Sequence, residues 1–283
     1  MSKITTYVKQ AALATCIGFS SVSIANAETV KVAVDVGYAP HVMAKASGGV
    51  EGYNVDLMAA LGKEMGIEYE IIDQAWSGIF AGLNSGKFDA IIVPTTITKE
   101  RAAKLLFSEG YQNVSYQFLL KRGNPQIAKL EDLRGKVISV NKGNYFDKWV
   151  SARSEKYGWE VLRFGKNSEA ILAVTTGRAY ASIAGSTVAG WTSKKNPNVV
   201  GSKLIVNSGQ SAGFVFRTKD KANRKRFEVA IECLKKSGVI AKIHEKWTGN
   251  MPAKDSASFK IRVGLGEPGF NGHDATPHGG SCS

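Results

Sequence analysis

One guanidinium stands out as a group able to hold a small anion. Arg101 closes the turn Thr98-Lys99-Glu100-Arg101 directly after an apolar run. Its planar fork of N–H donors matches a carboxylate with two parallel hydrogen bonds, which a lysine ammonium does not offer. The same residue type commonly ends in a surface ion pair, here with Glu100 or Glu109. Three other patterns carry chemical lettering. Gly209-Gln210-Ser211-Ala212-Gly213 spells a nucleophile elbow, with Asp220 and His244 downstream. An elbow needs a strand turning sharply into a helix, and Phe214-Val215-Phe216 predicts a continuing strand instead. Gly264-Leu265-Gly266-Glu267-Pro268-Gly269 spells a dinucleotide loop. That loop must open a helix and be followed by a second strand, and Pro268 and Gly269 leave no room for either. His273, Asp274, His278 and Cys282 are capable metal ligands, but their spacing fits no finger, and a solvated tail without a metal is expected.

The elements that must position Arg101 alternate in type. Strands are predicted over Thr29–Val34, Ile67–Asp73, Phe88–Val93, Val114–Leu120, Lys136–Val140, Glu160–Phe164, Ala181–Ala184, Lys203–Val206 and Phe214–Arg217. Helical spacing marks Asn54–Met65, Ser77–Asn84, Asn144–Tyr157, Ser168–Thr176 and Ala222–Lys236. Such alternation predicts an α/β fold built of βαβ units with largely parallel sheets. The chain has 283 residues, 43% of them hydrophobic, and no apolar run of the roughly 18–20 residues that a membrane-spanning helix needs. After Gly249 the composition turns to Gly, Pro and Ser, so residues 252–283 read as a tail that is flexible or ordered only in part, with one short strand-like run at Phe259–Val263.

The N-terminus reads as an export leader over residues 1–27. Lys3 and Lys9 form a positive start, an apolar stretch from Ala11 to Phe19 follows, and Ala25-Asn26-Ala27 is the pattern cut by a signal peptidase. Cleavage after Ala27 predicts a periplasmic protein. Losing two lysines from a formal net charge of +13 leaves +11. The basic cluster Lys219, Lys221, Arg224, Lys225 and Arg226 has no interleaved aromatic platform, so it predicts a solvated helix face and no nucleic-acid partner. Export also leaves two cysteines, Cys233 and Cys282. An even pair in an oxidising compartment invites a disulfide that pins the tail, with one buried and one free thiol as the other reading.

The block from Gly52 to Lys121 carries an ordered set of motifs: Gly52-Tyr53-Asn54-Val55-Asp56-Leu57, Trp76-Ser77-Gly78-Ile79, Gly86-Lys87, Asp89-Ala90-Ile91-Ile92, Ile97-Thr98-Lys99-Glu100-Arg101, Phe107-Ser108 and Tyr111. Leu130-Glu131-Asp132-Leu133-Arg134-Gly135-Lys136-Val137 and the stretch from Gly238 to Gly249 extend it. Together they resemble the family 3 extracytoplasmic solute-binding proteins of polar amino-acid ABC importers, over roughly residues 30–250. The resemblance implies two α/β lobes, 28–118 with 214–251 and 119–213, joined by two hinge strands with the ligand cleft between them. It implies a monomer that captures a small carboxylate-bearing solute by hinge closure and delivers it to an ABC permease in the inner membrane. No cofactor, metal or catalysis is implied.

In that family the arginine at 101 grips the solute carboxylate, with a hydroxyl from Thr96 and neighbouring groups such as Thr95. Tyr38 and Trp76 stand where aromatic rings face the solute, and Asp35 where some relatives read a cationic head. Asn144 and Tyr145 open a predicted helix whose free N–H groups suit an anion. One position departs from the pattern. Gly185 stands where an ammonium-binding aspartate is expected, and Tyr180 replaces the acid of the Gly177-Arg178 motif. Either another acid such as Asp35 takes that role, or the nitrogen of the solute is capped, cyclic or quaternary and boxed by Tyr38, Trp76 and Tyr180. Two further readings share this fold: a dehydratase-like enzyme acting on a cyclic acid, and a sensory binding protein without a permease.

Overall fold

A computed structural model describes residues 29–279 and 281–282, so the expected leader lies outside the described residues. The first strand, β1 (Thr29–Val34), is followed by a short hairpin of β2 (Met43–Ala44) and β3 (Val50–Glu51), then α1 (Tyr53–Met65), β4 (Glu68–Asp73), α2 (Trp76–Asn84), β5 (Ala90–Thr96), α3 (Lys99–Ala102) and β6 (Leu106–Phe107). A long strand, β7 (Gln112–Lys121), leads into β8 (Val137–Asn141), α4 (Tyr145–Ser151), α5 (Ser154–Tyr157), β9 (Glu160–Phe164), α6 (Asn167–Thr175), β10 (Ala181–Gly185) and α7 (Ser186–Lys195). The 18-residue β11 (Val199–Phe216) returns to the start, where α8 (Lys221–Lys236) and α9 (Val239–Thr248) finish the body.

Nine strands form one sheet in the order β4-β1-β5-β11-β7-β10-β8-β9, with β6 against β11. Parallel pairing unites β4, β1 and β5 at one end and β10, β8 and β9 at the other. Between them β7 and β11 run antiparallel to each other and to their outer neighbours. Two short predicted strands at its ends are therefore one strand. Its register against β7 shifts between Gly201 and Ile205 and between Asn207 and Gln210. Bulges bend a strand without ending its ladder, which is why the hydrophobic alternation lapses while pairing continues. Ser211 lies inside that strand, so the elbow lettering has no elbow.

The apolar groups divide. One cluster runs from Val30 through Leu57, Ile91 and Tyr111 to Phe214, Phe227 and Ile240. A second joins Val114, Tyr116 and Phe118 to Leu133, Ile138, Trp159, Ile183 and Ala212, and a third lies under α6 and α7. Each fully buried Leu, Ile or Phe contributes about 1.5–3 kcal/mol by leaving water. The change of cluster falls between Tyr111 and Val114 on one connection and between Ala212 and Phe214 on the other. Both lobes thus share the pair β7 and β11.

The motif Gly52-Tyr53-Asn54 has a steric cause. Gly52 has φ 142°, and a Cβ there would meet the His41 carbonyl oxygen at 2.3 Å. Only glycine lets α1 begin so close behind the turn at 38–42. The predicted helix over Asn144–Tyr157 is two helices, broken at Ala152–Arg153.

The tail also differs from the sequence expectation. Phe259–Val263 forms no strand, yet Ser256, Ala257, Ser258 and Leu265 are buried. Cys233 and Cys282 are joined in a disulfide. Instead of a ladder, the tail uses charged side chains of the body. The Lys235 ammonium donates to Glu109 (2.5 Å), the Gly110 carbonyl (2.7 Å) and the Lys260 carbonyl (2.8 Å). Glu228 accepts from the Glu109 and Gly266 amides, and Glu267 accepts from the Gly110 amide and Arg262. These contacts leave no periodic trace in the sequence. The suspected metal ligands do not converge: His273 meets the Val263 carbonyl, His278 lies 3.1 Å from Glu232, and Cys282 is in the disulfide.

Candidate functional site

Between the lobes lies a cleft of about 650 Å³, counting the part open to solvent. Asp35, Tyr38, Trp76, Thr96, Arg101, Asn144, Tyr145 and Gly185 all line it, so residues spread over 150 positions of sequence meet in one place. Thr95 does not line it. Its side chain is fully buried and its hydroxyl donates to the Val93 carbonyl. Tyr180 is also elsewhere, donating to the Pro125 carbonyl beneath Lys136.

Arg101 is held from three sides. The Thr98 hydroxyl accepts the Arg101 backbone N–H at 3.2 Å and so caps α3. Nη1 donates to the Thr96 carbonyl at 2.9 Å, and Nη2 reaches across the cleft to the Gly143 carbonyl at 3.3 Å. The guanidinium carbon lies 5.6 Å from the Trp76 ring centre and 5.3 Å from that of Phe80. Desolvation pushes its pKa down to about 10. Both acids that could have paired with it are taken. Glu100 pairs with Lys148 of α4, and Glu109 with Lys235. Among the described residues no carboxylate pairs with Arg101, and its charge is set in the cleft wall.

Asp35 is 3% exposed at the end of β1. Its Oδ2 accepts the Trp76 amide at 3.3 Å, its Oδ1 has no hydrogen-bond partner among the described residues, and Lys166 from the other lobe stands 4.0 Å away. Burial pushes the carboxyl up to about 6, against the Trp76 amide and Lys166, which lower it. Two more buried cleft atoms have no partner among the described residues, Trp76 Nε1 and Gln112 Oε1. The cleft thus adds an unsatisfied donor (Trp76) and unsatisfied acceptors (Asp35, Gln112) to the Arg101 guanidinium, which donates to carbonyls but pairs with no carboxylate of the described residues. Unpartnered buried atoms occur elsewhere in the chain as well, but these share one cavity with the Arg101 guanidinium, and that combination suits a polar solute.

At Gly185 a Cβ would stand 3.4 Å from Tyr38 Oη and 3.8 Å from the Phe146 ring. A side chain as long as aspartate would run into the tyrosine, whose phenol takes that space. The α4 turn is less open than expected, since Asp147 accepts the Gly143 amide and Asn144 caps the Asp147 amide.

Sequence reasoning missed His41, Gln112, Asn141, Ser186 and Thr187, which also line the cleft. Gln112 sits where β7 passes between lobes, and Ser186 and Thr187 follow Gly185 at the start of α7. Their nearness to a suspected crossing and to position 185 was the only available signal.

Comparison with known proteins agrees with this geometry. The description of bacterial extracellular solute-binding proteins, family 3, matches residues 30–250. The L-arginine-binding protein of Pseudomonas aeruginosa is 29% identical over 254 residues, 85% of this chain and 96% of its own. The L-cystine-binding protein TcyJ of Escherichia coli is 28% identical over 222 residues, 78% of this chain and 83% of its own. An ancestral arginine-binding protein bound to glutamine superposes with a TM-score of 0.73 at 31% identity, over 78% of this chain and 98% of that one. The matched span ends at 250, so the strapped tail lies beyond it. With the two lobes, the shared strand pair and the charged cleft, these matches show that the chain belongs to the family 3 bacterial extracellular solute-binding proteins.

Proposed function

We propose that this protein captures a zwitterionic amino acid between its lobes and delivers it to an ABC permease. The observation that carries the reading is Arg101: a desolvated guanidinium bridging both lobes, with no carboxylate of the described residues on it. A solute carboxylate supplies the missing partner, and a charge-assisted pair of this kind is strong where water is excluded. The ammonium falls to Asp35 and Gln112, whose unpartnered oxygens replace the acid absent at Gly185. Thr96, Tyr38 and Trp76 complete the wall. Relatives named for arginine and cystine support the solute class.

The lobes pivot on β7 and β11, where the apolar clusters change between Tyr111 and Val114 and between Ala212 and Phe214, and closure about that pair buries the solute. The permease reads the closed form, the chain works as a monomer after removal of 1–27 in the periplasm, and no bond of the solute is broken. A thermal-shift panel of L-arginine, L-lysine, L-glutamine and L-cystine tests this. A solute at 100 times its Kd adds about 2.7 kcal/mol. A flat panel, with no amino acid retained in native mass spectrometry, would overturn it.

A further inference from the structure

The cleft wall contains a histidine that the solute chemistry above does not use. His41 is 1% exposed and joins the two lobes. Its Nδ1 lies 3.0 Å from Asn54 Oδ1 on α1, and its Nε2 lies 2.8 Å from Thr187 Oγ1 on α7. The network assigns the proton. Asn54 Nδ2 donates to the Ile92 carbonyl and to Tyr111 Oη, so its Oδ1 must accept. Nδ1 of His41 therefore carries the hydrogen, and Nε2 presents a lone pair to the Thr187 hydroxyl.

We propose that His41 is a positioning residue for capture, a cross-lobe latch whose Nε2 lone pair accepts the Thr187 hydroxyl only when the lobes are closed, so that a proton on that nitrogen opposes closure. This rests on the solute-capture reading. Among the described residues no acid faces the ring, and the stacked Tyr38 and the Asn54 oxygen favour a cation less than burial opposes it. Tyr38 stacks on it at 5.3 Å and Tyr53 meets it edge-on at 5.6 Å. α9 offers His244, itself lowered by burial, and the first turn of α7 has no acid. Asp35 and Arg101 line the same cleft, the acid itself largely uncharged by burial below pH 6. Desolvation holds His41 down to about 3, outweighing the Asn54 bond. Thr187 could rotate to accept from a protonated ring. What the closed cleft does not return is the hydration of the charge.

Opened to water, His41 regains the ordinary value of about 6.5. Closing then releases a proton below that pH, and affinity falls by about tenfold per unit. Asp35 also changes its proton count, taking a proton up on burial without solute and giving it back to a solute ammonium, so the comparison must be made with His41→Gln, which keeps Asp35. For L-arginine between pH 7.5 and 5.5, the affinity of the native protein relative to H41Q should fall about tenfold. In the same samples, X-ray scattering of solute-free protein should show the closed fraction of the native chain falling relative to that of H41Q as the pH is lowered. Thr187→Val should weaken capture at pH 7.5 and raise the His41 titration seen by long-range ¹H–¹⁵N NMR. A pH-independent affinity ratio, with His41 titrating near 6.5 in a closed complex, overturns the latch and leaves solute capture standing. Closure that follows pH with no panel amino acid bound does the reverse. A chain open at every pH, with or without these amino acids, overturns the cross-lobe contact itself.

Discussion

Buried charge is used in two opposite ways within a few residues of each other. Beneath the tail, Lys235 and Glu109 are fully buried and pair with each other, and the neighbouring Glu228 carboxyl is met by backbone amides of Glu109 and Gly266. In the cleft, Arg101 and Asp35 are desolvated too, but Arg101 pairs with no carboxylate of the described residues and Asp35 meets only Lys166, at 4.0 Å. The first arrangement holds two pieces of backbone together. The second leaves electrostatic capacity for something that arrives from solution. Burial by itself therefore does not separate a site from a scaffold. What separates them is whether the charge is answered internally, because an unanswered one is costly and persists only where a ligand answers it.

Lys235→Met should break the structural half of that contrast with the largest effect. It strands Glu109 without its cation, and removing one partner of a buried pair costs about 3–5 kcal/mol. Chemical denaturation reads this directly, and an unchanged midpoint would mean the tail is not docked as described. Arg101→Ala should leave stability near the native level or above it, while costing about 2–5 kcal/mol of L-arginine binding. Calorimetry at matched pH checks it, and a large loss of stability would place Arg101 with the scaffold.

Asp35→Asn sharpens the comparison with the smallest effect. The carboxyl is raised from 3.8 to about 6 by burial. Its contribution is therefore full at low pH and is lost as pH rises through 6, a swing of at most roughly 3 kcal/mol. The variant should flatten that part of the stability profile of the solute-free protein. An ammonium placed on Asp35 would restore its charge, so L-arginine binding near pH 5.5 should release a proton in the native protein and release fewer in D35N. Calorimetry in buffers of different ionisation enthalpy counts that proton.

Much of this was readable beforehand. Val55, Met58, Leu61 and Met65 repeat at helical spacing and form one helix, because amphipathic periodicity survives in sequence whenever one face is buried. Arg101 was legible through its local turn, with Thr98 capping the helix that carries it. Gln112 and His41 were not, since their roles depend on partners 146 positions away in one case and on a strand crossing in the other. How far the tail is ordered was not legible for a related reason. Its carbonyls and amides are satisfied by Lys235, Glu228 and Asn113, groups belonging to other segments, so no pattern within residues 251–279 announces order.

Local information was enough for the alternating elements, the family motifs and the guanidinium, because propensity, periodicity and capping act over a few residues. Which charges remain unanswered was settled only by folding. That property depends on distances between segments far apart in the chain: Lys148 of the other lobe holds Glu100 away from Arg101, and Lys166 stops 4.0 Å short of Asp35.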